Sequence, residues 1–285
     1  MSKTFLEERS GEFACHYTTL ATVCKYILPT KKLRFSPFEK TNDPRENKER
    51  VFSLCSSLDT PHEVLEANQR LNAELLKYSK LFCTTEDAKT NPSRNTERCF
   101  GRPRMWAQYG ENHQGICLAF HRETLTSEIE KWYGQKADKG KVKYTAWGNA
   151  FARQFRAENG DIKPQVLKHI REHKRRFFFT KDLDWEAESE YRWVIRRCPE
   201  DFQGEKPKCD LFEYIPFGNS LKAIIMGVDC DNCYIPSLQN LAQGIPIFKL
   251  AWNLPGFEED FSPYIPHILK SGESFVGVPR HISES

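Results

Sequence analysis

The segment KDLDWEAESEYR, residues 181–192, carries the most informative pattern in this sequence. It leads into an aromatic and apolar run that predicts a β-strand. Because side chains alternate between the two faces of a strand, we expect Glu188, Glu190 and Arg192 on one face and the intervening aromatic residues on the other. Two carboxylates and a guanidinium are costly to bury unless they are paired or used in function. The segment therefore predicts either a surface strand with a cross-strand ion pair or one wall of a functional site.

The rest of the chain predicts an α+β fold. Strand-like runs lie near residues 13–17, 33–36, 81–84, 115–120, 142–144, 191–196, 211–217, 221–226 and 246–251. Helical patterns lie near residues 19–27, 60–80, 105–109, 125–133, 147–158, 163–178 and 236–242. We expect one domain over residues 1–285, with a core at 13–252, an irregular tail at 253–285, and a mostly antiparallel central sheet flanked by helices.

The charge and hydropathy patterns set limits on partners and location. The 285 residues include 42 basic and 39 acidic side chains, for a net charge of +3. This balance does not by itself imply a nucleic-acid or membrane partner. No apolar run follows Met1, and no stretch approaches the roughly 18 apolar residues of a membrane span. A cytoplasmic location and no membrane partner are therefore expected.

The cysteines predict thiols rather than a metal centre. Most of the ten lie among apolar neighbours, as Cys15 does, and in a reducing compartment they are expected to be buried free thiols. Cys230 and Cys233 have the spacing of a metal-binding pair. A structural zinc site needs four ligands, and no second tight pair is present, although Cys198 and Cys209 offer candidates. No metal is expected.

Two further segments could contribute to a site. His16 ends a predicted strand, and a histidine there is a candidate donor or base at neutral pH. Trp106, Tyr109 and His113 have the three- and four-residue spacing of one helix face. They form either part of a site or an aromatic core contact with His113 as a cap. No phosphate-binding glycine loop, dinucleotide fingerprint, nucleophile elbow or zinc helix is present in the sequence.

Five motifs together resemble the bacterial family called domain of unknown function 2971. The match is expected to span about residues 14–228, and the family name implies no activity. The motifs are His16-x-Thr18, Leu33-Arg34-x-Ser36, Asn42-Asp43-Pro44-x-Glu46, Met105-Trp106-x-x-Tyr109-x-x-x-His113-x-Gly115 and Trp185-x-x-Glu188-x-Glu190-x-Arg192.

The order of these motifs is also similar to that of ADP-ribosyltransferases, in which a first-strand residue holds NAD and a late-strand glutamate binds the nicotinamide ribose. This resemblance implies an ADP-ribosyltransferase-like fold with NAD as substrate. It implies that His16 and Thr18 hold NAD and that Arg34 and Ser36 line the cleft. The remaining implied residues are Glu190 as the catalytic glutamate, Glu188 as its Glu-x-Glu partner, and Tyr17, Trp106 or Tyr109 as an aromatic that stacks on nicotinamide. From the residues themselves, Arg192 is expected to keep a neighbouring carboxylate ionised and to belong to the cofactor-binding set.

The resemblance departs from that family at several points. No glycine follows His16, and no Ser-Thr-Ser motif or aromatic residue typical of the second strand is evident. The function it implies is an NAD-consuming ADP-ribosyltransferase or NAD glycohydrolase, expected to be a bacterial toxin or phage-defence effector acting on nucleic acid or protein. An antitoxin or regulatory protein is then a candidate partner.

Other readings of the same residues stay open. The basic stretches Lys168–Lys181 and Arg94–Arg104 could follow a phosphate backbone, although basic faces are commonly only solvated. A metal-dependent nuclease or phosphoesterase would need several carboxylates around its ions. The carboxylates available for it are Asp43, Glu46, Glu188 and Glu190. A non-catalytic module that binds a ligand or nucleic acid is the third reading.

Overall fold

The computed structural model describes residues 12–49, 61–87, 98–134, 137–146, 155, 160–197, 212–252 and 266–270. The strands are Phe13–Thr18 (β1), Lys32–Pro37 (β2), Ser79–Thr85 (β3), Ile116–His121 (β4), Ala137–Lys141 (β5), Lys143–Thr145 (β6), Thr180–Asp182 (β7), Glu190–Arg196 (β8), Glu213–Pro216 (β9), Leu221–Met226 (β10), Ile247–Trp252 (β11) and Pro266–Lys270 (β12). The α-helices are Leu20–Thr22 (α1), Leu28–Thr30 (α2), Pro44–Asn47 (α3), Pro61–Asn72 (α4), Pro103–Tyr109 (α5), Arg122–Tyr133 (α6), Ile162–Glu172 (α7), Lys174–Phe178 (α8) and Ile235–Ala242 (α9).

Short helical segments of other types continue or join these elements. Val23–Ile27 and Ala73–Tyr78 are π-helical, and Phe38–Lys40, Leu183–Glu188 and Asn232–Tyr234 are 3₁₀ helices. The helix predicted near residues 147–158 lies almost wholly outside the described residues. No helix in the described ranges is both long and apolar enough to span a membrane.

A mostly antiparallel sheet organises the described part of the chain. Ten strands take part, in the order β12-β11-β10-β4-β1-β3-β2-β9, with β8 paired to β3 and β5 paired to β8. The β10–β11 pair in this sheet is parallel, as is the separate β6–β7 pair. The predicted α+β class with a mostly antiparallel sheet is confirmed. β12 lies within the tail predicted to be irregular and pairs with β11, so the sheet extends beyond residue 252.

The edges of β3 create a fork between β1 and β2. Along one edge β8 pairs with all of β3, from Ser79 to Thr85. The other edge is shared, because β2 pairs with Lys80 and Leu81 whereas β1 pairs with Thr85. The two strands therefore diverge along the middle of β3, and the backbone there is left for other contacts. This fork is where the candidate site lies.

Three apolar clusters cover the two faces of the sheet. The largest packs α6, α9 and the helical segment after β1 against one face and includes Phe82, Phe120 and Trp193. On the opposite face, one cluster lies under α4, α7 and α8 and includes Val194, and another lies under α5 and includes Trp106. Full burial of a side chain of this size stabilises the fold by roughly 1.5–3 kcal/mol. The cores therefore fix β8 from both faces.

The interpretation of the acidic segment as a surface strand is wrong. β8 lies inside the sheet between β3 and β5. Arg192 is 1% exposed, and Glu190 is also buried. Glu188 is not on the strand, because it ends the 3₁₀ helix and Ser189 adopts a left-handed conformation with φ of 43° before β8 begins.

The turn between α5 and β4 is unusually constrained. Glu111, Asn112 and His113 all have positive φ, at 53°, 48° and 70°. A Cβ on Gly115 would lie 2.5 Å from the Thr18 carbonyl oxygen, and one on Gly227 would lie 2.0 Å from the His113 carbonyl oxygen. Because α5 ends at Tyr109, His113 lies in this turn and does not share a helix face with the two aromatic residues.

The cysteines differ in part from the expectation of free thiols. Cys15 and Cys99 form a disulfide with a Cα–Cα distance of 5.6 Å. The free cysteines of the described residues are Cys24, Cys83, Cys117, Cys230 and Cys233. The described residues contain no group of three or more His, Cys, Asp or Glu side chains arranged to hold a metal ion. Cys198 and Cys209 lie outside those residues.

Candidate functional site

A cavity of about 220 Å³ lies at the fork. Residues of both smaller apolar clusters line it, including Leu81 and Met105, so it lies between them. Its walls come from β1, β2, β3, β8, α5 and the segment around α3. The structure brings most of the predicted site residues together here: His16, Tyr17, Arg34, Ser36, Tyr109, Glu188, Glu190 and Arg192 all line the cavity.

Arg192 holds two carboxylates in one wall of the cavity. Its Nε and Nη2 donate to Oε1 and Oε2 of Glu190 at 2.8 and 2.7 Å. Its Nη1 and Nη2 donate to Oε1 and Oε2 of Glu46 at 2.6 and 3.0 Å, and Nη1 also donates to the Phe178 carbonyl at 2.9 Å. Bidentate pairing matches the planar guanidinium to both carboxylates and fixes their orientation.

The pKa values of Glu190 and Glu46 are shifted in opposite directions. Burial by itself raises the pKa of Glu190, but the charge and hydrogen bonds of Arg192, with the charge of Lys181, lower it to about 2. Burial raises the pKa of Glu46 despite the attraction of Arg192. One guanidinium therefore keeps Glu190 ionised, whereas Glu46 binds a proton more readily than an exposed glutamate.

Lys181 and Tyr109 hold Glu188 beside this cluster. Tyr109 Oη donates to Glu188 Oε1 at 2.6 Å, and Lys181 Nζ donates to Glu188 Oε2 at 2.6 Å. Lys181 Nζ also lies 3.6 Å from Glu190 Oε2 and 4.3 Å from the centroid of the Trp185 ring. The lysine thus links the two carboxylates of the Glu-x-Glu pair, which makes their positions interdependent.

His16 enters the cavity as a neutral imidazole. Its Nδ1 lies 3.0 Å from the Cys83 carbonyl oxygen, on the part of β3 that the fork leaves open. Because a carbonyl only accepts, Nδ1 carries the proton, and Nε2 is left as an acceptor. Burial lowers the pKa of His16, and the nearby Arg34 charge acts in the same direction. The ring packs against Phe82 with a centroid separation of 4.7 Å.

Two predicted site residues do not line the cavity. Trp106 is fully buried in the cluster under α5, where its Nε1 donates to the Phe100 carbonyl at 2.7 Å. Thr18 ends β1 opposite Ile116. Tyr17 does line the cavity, but its Oη donates to the Cys99 carbonyl at 2.6 Å, and its ring meets Trp106 edge-on. Of the three aromatic candidates, the half-buried Tyr109 has the most accessible ring.

Three residues in or beside the cavity have contacts that the sequence does not predict. Glu46 and Lys181 line the cavity, although neither is among the predicted NAD-site residues. The sequence analysis places Glu46 in a family motif and in the metal hypothesis, and Lys181 in the acidic segment and in a basic stretch. Tyr144 was missed, although its Oη accepts a 2.8 Å hydrogen bond from the Glu190 backbone N–H. The signal for Glu46 is the preceding Asp43-Pro44 pair: the Asp43 carboxylate caps α3 by accepting from Arg45 N at 2.9 Å. No sequence pattern marks Tyr144.

Parts of the two predicted basic stretches are buried or paired. Within Lys168–Lys181, the side chains of Lys168, Arg171 and Arg175 are exposed, whereas His169 is buried and Lys181 points into the cavity. In the other stretch, Arg98 pairs with Asp87 at 3.4 Å, and Arg102 donates to the carbonyls of Glu86 and Ala187. Arg94 lies outside the described residues. Nucleic-acid binding by either stretch stays a prediction.

The carboxylates proposed for a metal site are all engaged. Both oxygens of Glu46, Glu188 and Glu190 accept hydrogen bonds from the cationic or phenolic groups described above. Asp43 is used as a helix cap. An ion would have to displace these donors, so the arrangement is better suited to presenting fixed negative charge to an organic ligand than to binding a metal.

Comparison with known proteins gives a match to one family model. The matched residues, 105–193, include Tyr109, Lys181 and the Glu190–Arg192 pair but not the β1 and β2 walls of the cavity. No curated protein and no solved structure matches the chain. The expected match over residues 14–228 is supported for this shorter span, and the comparisons do not support an ADP-ribosyltransferase-like relationship. Residues 105–193 are thus similar to the family described as protein of unknown function (DUF2971).

Proposed function

We propose that this protein consumes NAD, as an ADP-ribosyltransferase or an NAD glycohydrolase. The observation that carries the proposal is that His16 of β1, Arg34 of β2 and Glu190 of β8 line one cavity. Glu190 lies 174 positions after His16 in the sequence. NAD chemistry requires these three side chains to lie close together in the fold. Their position around one cavity therefore supports the proposal.

The electrostatics of the cavity suit cleavage of an N-glycosidic bond. As the bond between ribose C1′ and the nicotinamide nitrogen breaks, the bonding electrons leave with nicotinamide, and positive charge develops on the ribose. Glu190 is held ionised and buried, so it can accept a hydrogen bond from the ribose 2′-hydroxyl and stabilise that charge. Water or an acceptor hydroxyl then attacks C1′ and loses its proton.

The neighbouring groups have defined roles in this proposal. His16 Nε2 accepts a hydrogen bond from a ribose hydroxyl, and Tyr109 offers an aromatic face for nicotinamide. Lys181 holds Glu188 and Glu190 at their positions. The ionised carboxylate is preorganised by Arg192, so little reorganisation is needed when charge develops. A role as a toxin or phage-defence effector, and an antitoxin partner, remain predictions.

The test is nicotinamide release from NAD by the purified full chain, with wild type compared with Glu190→Gln. Loss of the carboxylate is expected to reduce turnover roughly 100- to 1,000-fold, as for other removed charge-stabilising groups. Glu74→Gln is the matched control, because Glu74 is a fully buried, arginine-paired carboxylate outside the cavity. It should retain turnover while incurring a comparable loss of stability.

Two additions to this assay, nucleic acid and EDTA, distinguish the proposed NAD chemistry from the nuclease and binding-module hypotheses. Adding DNA or RNA reports whether nucleic acid is the acceptor, and EDTA should leave NAD consumption unchanged. Metal-dependent cleavage of nucleic acid without NAD consumption would instead support the nuclease reading. A folded wild-type protein that binds ADP-ribose but releases no nicotinamide in any arm would contradict the proposal and favour a binding module.

A further inference from the structure

The cavity separates charge along its depth. Its buried part holds three carboxylates, Glu46, Glu188 and Glu190, against the two cations of Arg192 and Lys181. These five groups bind one another, as described above. The buried part is therefore rich in hydrogen-bond acceptors, including the ionised Glu190, and suits hydroxyl groups or positive charge.

Two further cations lie at the solvent-facing end. Arg34 and Lys40 line the same cavity, yet both side chains are exposed, so they must lie where it opens. No carboxylate within the described ranges pairs with either of them. The half-buried hydroxyls of Ser36 and Thr41 also line the cavity beside them.

Local structure directs Arg34 toward this opening. In β2, Lys32, Arg34 and Ser36 share one face, while the alternating residues Leu33 and Phe35 are buried in the core. The Arg34 guanidinium lies 4.5 Å from the centroid of the Phe212 ring. This contact restricts the guanidinium without neutralising its charge.

The size of the cavity constrains what can occupy it. At about 220 Å³ it is smaller than the roughly 300–1,000 Å³ typical of small-molecule sites. It can hold a nucleoside-sized group, and the rest of a larger ligand must pass Arg34 and Lys40 on its way out. NAD has the matching sequence of charges: a cationic nicotinamide ring, a ribose with free hydroxyls, and then an anionic diphosphate.

We propose that Arg34 and Lys40, the mouth cations, form a diphosphate-binding subsite that makes the protein selective for an intact pyridine dinucleotide. This inference rests on the proposed NAD chemistry for its biological meaning, but the subsite can be tested without turnover. Two charge-assisted contacts to phosphate oxygens are expected there, one from the planar guanidinium and one from the ammonium group.

The first experiment compares substrates. In the Arg34→Ala/Lys40→Ala variant, kcat/KM for NAD should fall roughly 100-fold, since each lost charged contact costs about tenfold or more in affinity. With nicotinamide riboside, which has no phosphate, kcat/KM should change less than about twofold, because a hydrogen bond that is not formed cannot be lost. Lys32→Ala is the matched control, because Lys32 is an exposed β2 lysine on the same face that does not line the cavity. Equal losses for both substrates would overturn the subsite.

The second experiment measures binding of inorganic pyrophosphate and of ADP-ribose by calorimetry in magnesium-free buffer. Wild type and Lys32→Ala should bind pyrophosphate alike, and the double variant should bind it at least tenfold more weakly. If the protein shows these pyrophosphate affinities but releases no nicotinamide from NAD, the subsite is supported and the proposed NAD chemistry is wrong. Wild type that binds neither probe, or a double variant that binds pyrophosphate as wild type does, would overturn the subsite.

Discussion

At the scale of single residues, Arg192 allows two carboxylates to be buried in one wall of the cavity. It is 1% exposed and donates to two buried carboxylates and a backbone carbonyl. A buried charge is tolerated only when partners replace the lost hydration. The guanidinium binds both carboxylates at once and keeps Glu190 ionised, whereas Glu46 binds a proton more readily. The ionised Glu190 carboxylate is what the proposed chemistry uses.

Replacement of Arg192 should reveal this dependence. Arg192→Met leaves Glu46 and Glu190 buried without their shared partner, and we expect the free energy of unfolding at pH 7 to fall by about 3–5 kcal/mol. Urea denaturation monitored by circular dichroism measures the change. Arg196→Met is the control, because Arg196 also pairs with a buried carboxylate, Glu74, but is itself partly exposed, so its loss should cost less.

The free energies of unfolding of wild type and of the Arg192→Met variant should depend differently on pH. In wild type, the pKa of Glu190 in the folded state, about 2, lies below its unfolded value, so stability from this pair is present above about pH 4.5 and is lost as pH falls toward 2. Without Arg192, burial raises the pKa of Glu190 above its unfolded value and raises that of Glu46 further than in wild type, so the variant gains more stability than wild type as pH falls from 7 to 5. A constant difference between the two proteins at pH 5 and pH 7.5 would contradict the shared-guanidinium account.

The residue-scale prediction from sequence succeeded where the chemistry was local. The two-residue period of a strand placed Glu190 and Arg192 on one face, and they bind each other there. The second partner of Arg192 could not be predicted, because Glu46 is 146 residues away and nothing local marks the contact. The position of Tyr144 beside the Glu190 backbone likewise depends on tertiary packing.

At the scale of elements, the site depends on the separation of β1 from β2 and on the start of β8 at Glu190, after the 3₁₀ helix that ends at Glu188. The fork between β1 and β2 opens the Cys83 carbonyl to His16. Glu188 reaches the cavity from a 3₁₀ helix through the left-handed Ser189. Sequence patterns could predict neither feature, since hydrophobic periodicity does not show which edge a strand uses, and serine rarely marks a positive φ.

The turn between α5 and β4, which follows Tyr109, packs closely against Gly227. A Cβ on Gly227 would lie 2.0 Å from the His113 backbone carbonyl, which cannot move away without shifting the strained turn. Gly227→Ala is therefore expected to lower the free energy of unfolding by about 1–3 kcal/mol, as overpacking does. Thermal and urea denaturation measure this loss.

Gly140→Ala provides the comparison for this variant. A Cβ there would make only ordinary contact with the Phe179 ring, at 3.7 Å, and the residue lies in β5. Its stability should stay within about 0.5 kcal/mol of wild type or increase slightly. Similar losses for both variants would show that the close approach at Gly227 is not the cause.

At the scale of the whole molecule, the sheet joins segments from both ends of the chain. β1 lies near its centre and β12 at one end. The class of the fold follows from the alternation of strand and helix patterns, whereas the strand order requires long-range pairings that composition does not encode. The Cys15–Cys99 bridge is a similar case, because the many cysteines allow numerous pairings and the cytoplasmic location expected from the sequence favours none.

The disulfide provides a test of this long-range organisation. It links β1 to a residue 84 positions later, and it lies beside the Tyr17 contact with the Cys99 carbonyl. A cross-link over a loop of this length restricts the unfolded chain and typically stabilises a protein by about 2–4 kcal/mol. We therefore expect dithiothreitol to lower the melting temperature of the oxidised wild type. The Cys15→Ala/Cys99→Ala variant should melt below the oxidised wild type and show no further shift with dithiothreitol. An equal shift in both proteins would place the effect at another cysteine, and no shift in the wild type would mean that this bridge does not stabilise the fold.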